Sequence, residues 1–344
     1  MQLITPEQLQ QQTLKHTYQK DPLRVCPLDK SVPREALNLS DLFQNPNNKD
    51  LETRLKQIYQ TTIDQQNPTI SLSFLRPIYQ PPNLINNYFD QIYILNLDCR
   101  PDRMDHMRQQ LHRLGIYNYR RFSALYGKEE PHYSEWQQYQ RVPMTRLERT
   151  KYQRKGIGSP GSWAILKSMY LMLREAQANQ YQNFLVFQDD LLFHKHFNQS
   201  FEHLVNHPTF PKDWKLFYLG GTQHAWSHVD FHKNHMFYHP NGTCDGAFAV
   251  AIDSSIYQEM IDEILRFDLP VDSGALKTLQ RLYSKKSIVA FPNLAIADIR
   301  DSDLRGYRSL ERFGQKFRWD LNHYHVVDNL KPKSTVSEPD TDKW

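Results

Sequence analysis

Apolar and polar positions alternate with two different periods along this chain, and the change of period marks its elements. Short apolar runs at residues 92–97, 184–187 and 287–291 are too brief for helices and read as buried strands. Two more carry glycine: residues 214–221 read as a buried strand ending in a tight turn at Gly220-Gly221, and 242–252 as a glycine-marked turn entering a strand. Between them the spacing becomes helical. Met104, Met107, Leu111 and Leu114 predict a helix closed by Gly115, and Ser159-Pro160 opens another carrying Ile165, Leu166, Met169, Met172, Leu173 and Ala176. Asp253 and Ser254 cap a third with Ile256, Met260, Ile264 and Leu265, and residues 269–273 turn into a fourth. Strands that alternate with helices define an α/β class.

The first 85 residues differ, being rich in Gln and Asn. Thr5-Pro6-Glu7-Gln8 has a capping-box pattern, residues 50–63 share an apolar helical face, and 77–82 read as an extended linker. The expected division is therefore an accessory, mostly helical extension over 1–85, a main domain over 86–326, and a polar tail over 327–344.

Composition narrows the function. The chain has 344 residues, enough to bury a core, and its net charge of +4 is too small to imply a nucleic-acid partner by itself. With only 12 glycines there is no glycine-rich phosphate cradle. Three cysteines with no C-x-x-C pair fit a reducing compartment, and no signal peptide or membrane-spanning run is visible, so a cytoplasmic location is expected.

Candidate chemistry gathers at Gln188-Asp189-Asp190, directly after a strand. Ligand sites of open α/β sheets lie beyond the carboxyl ends of the strands, and paired acids suit a hard divalent cation. After the first strand, Arg100 and Arg103 stand where a phosphate or base would lie, or else pair with Asp98 and Asp102. The basic run at 141–155 reads as a solvated face. Arg305, Arg308, Arg312 and Lys316 suggest one basic helical face. Histidines at 224, 228, 232, 235 and 239 have helical spacing but no supporting Cys or Glu, so a hairpin or loop is expected there rather than a metal site.

In order and spacing these landmarks resemble glycosyltransferase family 25. Leu95-Asn96-Leu97-Asp98-Cys99-Arg100-Pro101-Asp102-Arg103 is similar to the family's I-N-L-D-R-R-P-D-R, and Phe122 through Gly127 to its F-x-A-x-x-G. Gln188-Asp189-Asp190 stands for E-D-D, Trp214 through Gly220 for W-D-L-x-Y-L-G, Pro270-Val271-Asp272 for P-x-D, and Ser302-Asp303-Leu304 for S-D-I. The family's G-C-x-L-S-H reads Gly158-Ser159-Pro160-Gly161-Ser162-Trp163, without Cys or His, and Gln188 replaces the first acid.

The resemblance implies a GT-A-like nucleotide-binding sandwich with the N-terminal helical extension attached. It also implies an inverting transfer of a hexose, galactose first, from a UDP-sugar to a hydroxyl of a surface-glycan precursor, glycolipid or protein, with Mn²⁺ or Mg²⁺. Asn96, Arg100, Arg103 and Asp189 are then expected to bind the nucleotide, and Asp190 and Gln188 the metal. Asp272 is the expected base, with Asp245 in its glycine-flanked turn as the second choice. A peripheral membrane location is compatible with a glycolipid acceptor. Two alternatives stay open: an impaired sugar-nucleotide-binding protein of the same fold, suggested by Gln188, and a nucleic-acid-binding module using the basic segments.

Overall fold

A computed structural model describes residues 83–326, except 147, 232–235 and 303–305. The accessory helices expected within 1–82 and the tail expected from 327 lie outside the described residues. So do Asp303 and Leu304 of the late motif and Arg305 of the basic face.

The first core strand, β1 (Gln91–Leu97), leads through a tight loop into helix α1 (Pro101–Leu114), closed by Gly115 as the spacing requires. Then come β2 (Tyr119–Ala124), α2 (His132–Arg141), a π-helical turn (Glu148–Tyr152) and α3 (Pro160–Ala178), whose Ser159 hydroxyl accepts from Ser162 N–H. β3 (Asn183–Gln188) and β4 (Leu191–Phe193) flank the paired acids, followed by α4 (Phe197–Asn206) and β5 (Leu216–Gln223). β6 (Asp230–Phe231) and β7 (Phe237–His239) pair as a hairpin in the histidine-rich segment. β8 (Cys244–Asp253), α5 (Tyr257–Ile264), a second π-helical turn (Asp272–Leu276) and α6 (Lys277–Leu282) precede β9 (Ser287–Ala290), β10 (Ala295–Ala297) and α7 (Leu310–Phe317).

Among the described residues, eight strands form one mixed sheet in the order β2-β1-β3-β8-β5-β9-β7-β6, while β4 pairs with β10 in a separate ribbon. β1 runs parallel to β2 and β3, and β5 parallel to β9. β8 is inserted antiparallel between β3 and β5. Successive side chains leave a strand on opposite faces, so Tyr93 and Leu95 enter one core with α3 and α5 while Ile92 and Ile94 enter the other with α1 and α4. Burial on both faces explains why the central strands read as unbroken apolar runs. The result is a mixed α/β sandwich.

Gly220-Gly221 does not make the tight turn expected of it: both residues lie inside β5, where its pairing with β8 shifts register. Their small size serves close packing instead, since a Cβ on Gly220 would stand 1.9 Å from the Ala295 carbonyl oxygen. Gly220→Ala is expected to lower stability by about 1–3 kcal/mol or more, because backbone must move to admit the methyl. An unchanged urea midpoint would show that the β5–β10 approach is adjustable.

Candidate active site

Parallel pairing brings the ends of β1, β2 and β3 to one edge of the sheet. Because β8 runs the other way, its first residues arrive at that same edge, with Asp245 opposite Thr222 near the end of β5. The candidate residues therefore converge although they come from opposite ends of their strands.

Two cavities open along this edge. The smaller, about 240 Å³, is lined by Leu95 and Leu97 of β1, Arg103, Lys128, Asp189 and Asp190, among others. The N-cap Ser159 and the first residues of α3, Pro160 and Gly161, also line it. Pro160 has no N–H and Ser162 N–H is held by the Ser159 hydroxyl, so Gly161 N–H and the helix dipole are what favour an anion there. Gly127, the last residue of the F-x-A-x-x-G match, lies on this wall, and a Cβ there would stand 2.0 Å from the Pro160 carbonyl oxygen. Two motif segments distant in sequence are thus packed backbone to backbone. The larger cavity, about 590 Å³, holds Asp245 and Asp272; Gln188, Ile165 and Ser302 line both.

The acidic turn is held from behind. Asn96, 1% exposed, donates through Nδ2 to Asp189 Oδ2 at 2.6 Å and to the Arg100 carbonyl at 2.9 Å, while its Oδ1 accepts from Arg121 Nε at 2.7 Å. Arg103 lies 3.2 Å from Asp189 Oδ1 and 3.7 Å from Asp301. Arg100 is buried in ion pairs with Asp102 and Asp301. Asn96 and Arg100, expected at the nucleotide, line neither cavity: their side chains hold the acidic turn and the loop behind it. Arg103 does line the smaller one. Asp98 pairs with Arg121 and accepts from the Ser123 hydroxyl.

Asp190 differs from its neighbour. Its Oδ1 is buried without a hydrogen-bond partner. Burial raises its carboxyl to about 7, with Arg103 opposing the rise and Asp189 and Asp298 adding to it. Asp189 is likewise raised by burial, against Arg103 and the Asn96 hydrogen bond. Asp298, which Arg300 clasps through both carboxylate oxygens, donates its backbone N–H to the Asp190 carbonyl. Among the described residues no three His, Cys, Asp or Glu side chains converge as a ready metal cage. The orphaned Asp190 Oδ1, with the neighbouring Gln188 amide, suits a cation that takes its other oxygens from a bound diphosphate, the habit of Mg²⁺-type sites.

On the far side of Gln188, Asp245 is clamped: Lys277 Nζ lies 2.7 Å from Oδ1 and His224 Nε2 3.0 Å from Oδ2. Burial works to raise this carboxyl, but the His224 bond and Lys277 together hold it below the usual range. Asp272 opens a π-helical turn instead of capping a regular helix, and its Oδ1 accepts from Ser273 N–H at 2.8 Å. The reading of the sequence missed His224 and Lys277 as partners of Asp245, and it missed Asp298 and Asp301 altogether. Only the glycines flanking Asp245 signalled that corner. Lys151 and Arg154, expected on a solvated face, line the larger cavity. Arg308 precedes α7, whose N-cap is Ser309, so the expected single helical basic face does not form.

The site is thus a mixed sheet carrying paired acids at the end of a strand, between two cavities. The family model described as glycosyltransferase family 25 (LPS biosynthesis protein) matches residues 89–263, and the chain belongs to that family. Procollagen galactosyltransferase 1-A of Xenopus laevis is 29% identical over 135 residues, which is 38% of this chain. That stretch is 21% of the relative, so the chain matches about a fifth of its length. Among solved structures, a glycosyltransferase involved in glycosylation of the major capsid of PBCV-1 has a TM-score of 0.35 at 10% identity, covering 66% of this chain and 97% of that one. Mouse xyloside xylosyltransferase 1 in its apo form has a TM-score of 0.29 at 9% identity, covering 59% and 70%. Both structures are distant in sequence and in shape.

Proposed function

We propose that this protein is an inverting glycosyltransferase that moves a hexose, galactose first among candidates, from a UDP-sugar to a hydroxyl of a glycan, glycolipid or protein. The observation that carries the reading is the acidic turn standing between two cavities, the smaller with Arg103, Lys128 and a helix N-terminus, the larger with two further carboxylates among its cations. The smaller cavity takes the nucleotide diphosphate and the larger one the acceptor.

In this reading Arg103, Lys128 and the α3 N-terminus offset the charge that grows on the departing diphosphate. Asp190 and Gln188 would hold a Mn²⁺ or Mg²⁺ ion, which supplies further charge neutralisation when bound. Asp272 takes the proton of the attacking hydroxyl. Asp245 is the weaker base, because Lys277 and His224 lower its affinity for a proton. Among the described residues no helix is long and apolar enough to cross a membrane. The free thiols of Cys99 and Cys244 fit the cytoplasm.

The deciding experiment follows release of nucleoside diphosphate from a panel of nucleotide sugars with and without Mn²⁺. Release from one donor, accelerated by an acceptor, supports the proposal. Tight donor binding with no turnover on any acceptor favours the impaired binding protein, a reading that the neutral Gln188 and the clamped Asp189 support. Within the same assay, Arg103→Gln is expected to raise the donor KM about tenfold or more with a smaller change in kcat, as loss of a charged hydrogen bond to a bound phosphate would. A loss of thermal stability with the donor KM unchanged would leave Arg103 only as the clasp of Asp189.

A further inference from the structure

The larger cavity has a charge out of keeping with the rest of the chain. Its lining includes six cations, Lys151, Arg154, Lys277, Arg281, Arg308 and Lys316, against two carboxylates, Asp245 and Asp272. Over the whole chain 42 Lys and Arg nearly balance 38 Asp and Glu, so the excess is local. The cations also come from separate parts of the fold: the loop around the first π-helical turn, α6, and the segment ending in α7.

That loop is built rather than loosely solvated. Glu148, 2% exposed, accepts from the backbone N–H groups of Thr145 at 2.8 Å and Gly156 at 2.7 Å, and pairs with Lys155 at 3.2 Å. Burial alone would raise this carboxyl, yet those bonds hold it at about 2. The buried anion therefore closes the loop on both sides of Lys151 and Arg154 and presents them at the cavity. Phe313, Phe317 and Trp319 add aromatic rings to the lining of the cavity. Aromatic faces suit the apolar side of a sugar ring, and spread cations suit its anionic substituents.

Resting on the transferase reading of this site, we infer that the acceptor is an acidic saccharide, carrying phosphate or carboxylate groups that the cations around the larger cavity recognise. The donor diphosphate has its own cations and helix N-terminus in the smaller cavity, and of the six cations here Lys277 is already engaged by Asp245, which leaves the excess to the other five.

The test measures saccharide affinity by ligand-observed NMR or calorimetry, with and without saturating UDP. The probes are lactose, lactose 6′-phosphate and 3′-sialyllactose, which separate neutral, phosphate and carboxylate ligands. The wild type is expected to bind at least one charged probe about tenfold or more tightly than lactose, in line with charge-assisted pairing. Combined Arg154→Gln and Lys316→Gln substitutions, both at exposed side chains, should abolish most of that preference and leave the UDP affinity within about twofold. Equal affinity for charged and neutral probes overturns the inference. So does a variant that loses UDP instead, because the cations would then serve the donor. Failure of the wild type to bind any nucleotide or nucleotide sugar overturns the transferase reading, while the saccharide arms without UDP still decide the anion preference.

Discussion

Asp190→Asn is expected to slow sugar transfer by about 10²–10³-fold while leaving the protein folded and, above neutral pH, more stable than the wild type. The rate loss is the size seen when one electrostatic group aimed at developing charge is removed. The stability gain follows from burial. Asp190 is raised to about 7 in the folded protein, against an unfolded carboxyl near 3.9. A carboxyl raised by folding leaves stability intact below its unfolded value and loses it as pH climbs through the folded one. The advantage of the Asn variant should therefore be absent near pH 3.5, grow through pH 4–7, and level off above. Thermal unfolding across that range, measured beside turnover, checks both halves. If Mn²⁺ binds Asp190 with the donor, Mn²⁺ affinity in the presence of UDP should also rise with pH and level off above about 7, because the ion displaces the proton. Near-wild-type turnover by a folded Asn variant would remove Asp190 from the reaction.

Asp272→Asn should reduce transfer by about 10²–10⁴-fold, the usual worth of a positioned base, with donor affinity unchanged. The amide can still accept from Ser273 N–H through its oxygen, so the π-helical turn is expected to keep its shape. Asp245→Asn should behave differently. It leaves Lys277 and His224 facing an uncharged amide, which should weaken acceptor binding and lower stability more than it lowers kcat. Pre-steady-state measurement of the transfer step, with donor affinity measured separately, distinguishes the two. A wild-type rate for Asp272→Asn together with a slow Asp245→Asn would move the base to Asp245.

Much of the frame was legible along the chain. The helices opened by Pro101 and Ser159-Pro160, the Gly115 stop and the buried strands beside them depend on capping, proline geometry and periodicity within a few residues. Gln188-Asp189-Asp190 at a strand end could be read the same way, because a four-residue apolar run stops there. The local reading failed where a residue's role belongs to its neighbours in space. Gly220-Gly221 look like a turn, since glycine signals turns and close approaches alike. The pairing of Arg100 with Asp102 could be read from the sequence, but not its second partner, Asp301, which lies 201 positions away.

By itself, the sequence determined the α/β class, the positions of the strands and helices around the site, and the place of the paired acids, all of which rest on short-range patterns. Only the tertiary structure decided that β8 enters antiparallel, because hydrophobic period says nothing about strand direction or order. That one reversal brings Asp245 to the ends of β3 and β5, where Lys277 and His224 clamp it. Burial likewise separated two adjacent carboxyls that look identical in sequence. Asp189 is engaged by Asn96 and Arg103, while Asp190 keeps a buried oxygen with no hydrogen-bond partner. The proton affinity of a carboxyl is set by the charges and solvent around it, and that surrounding is assembled from segments scattered through the chain.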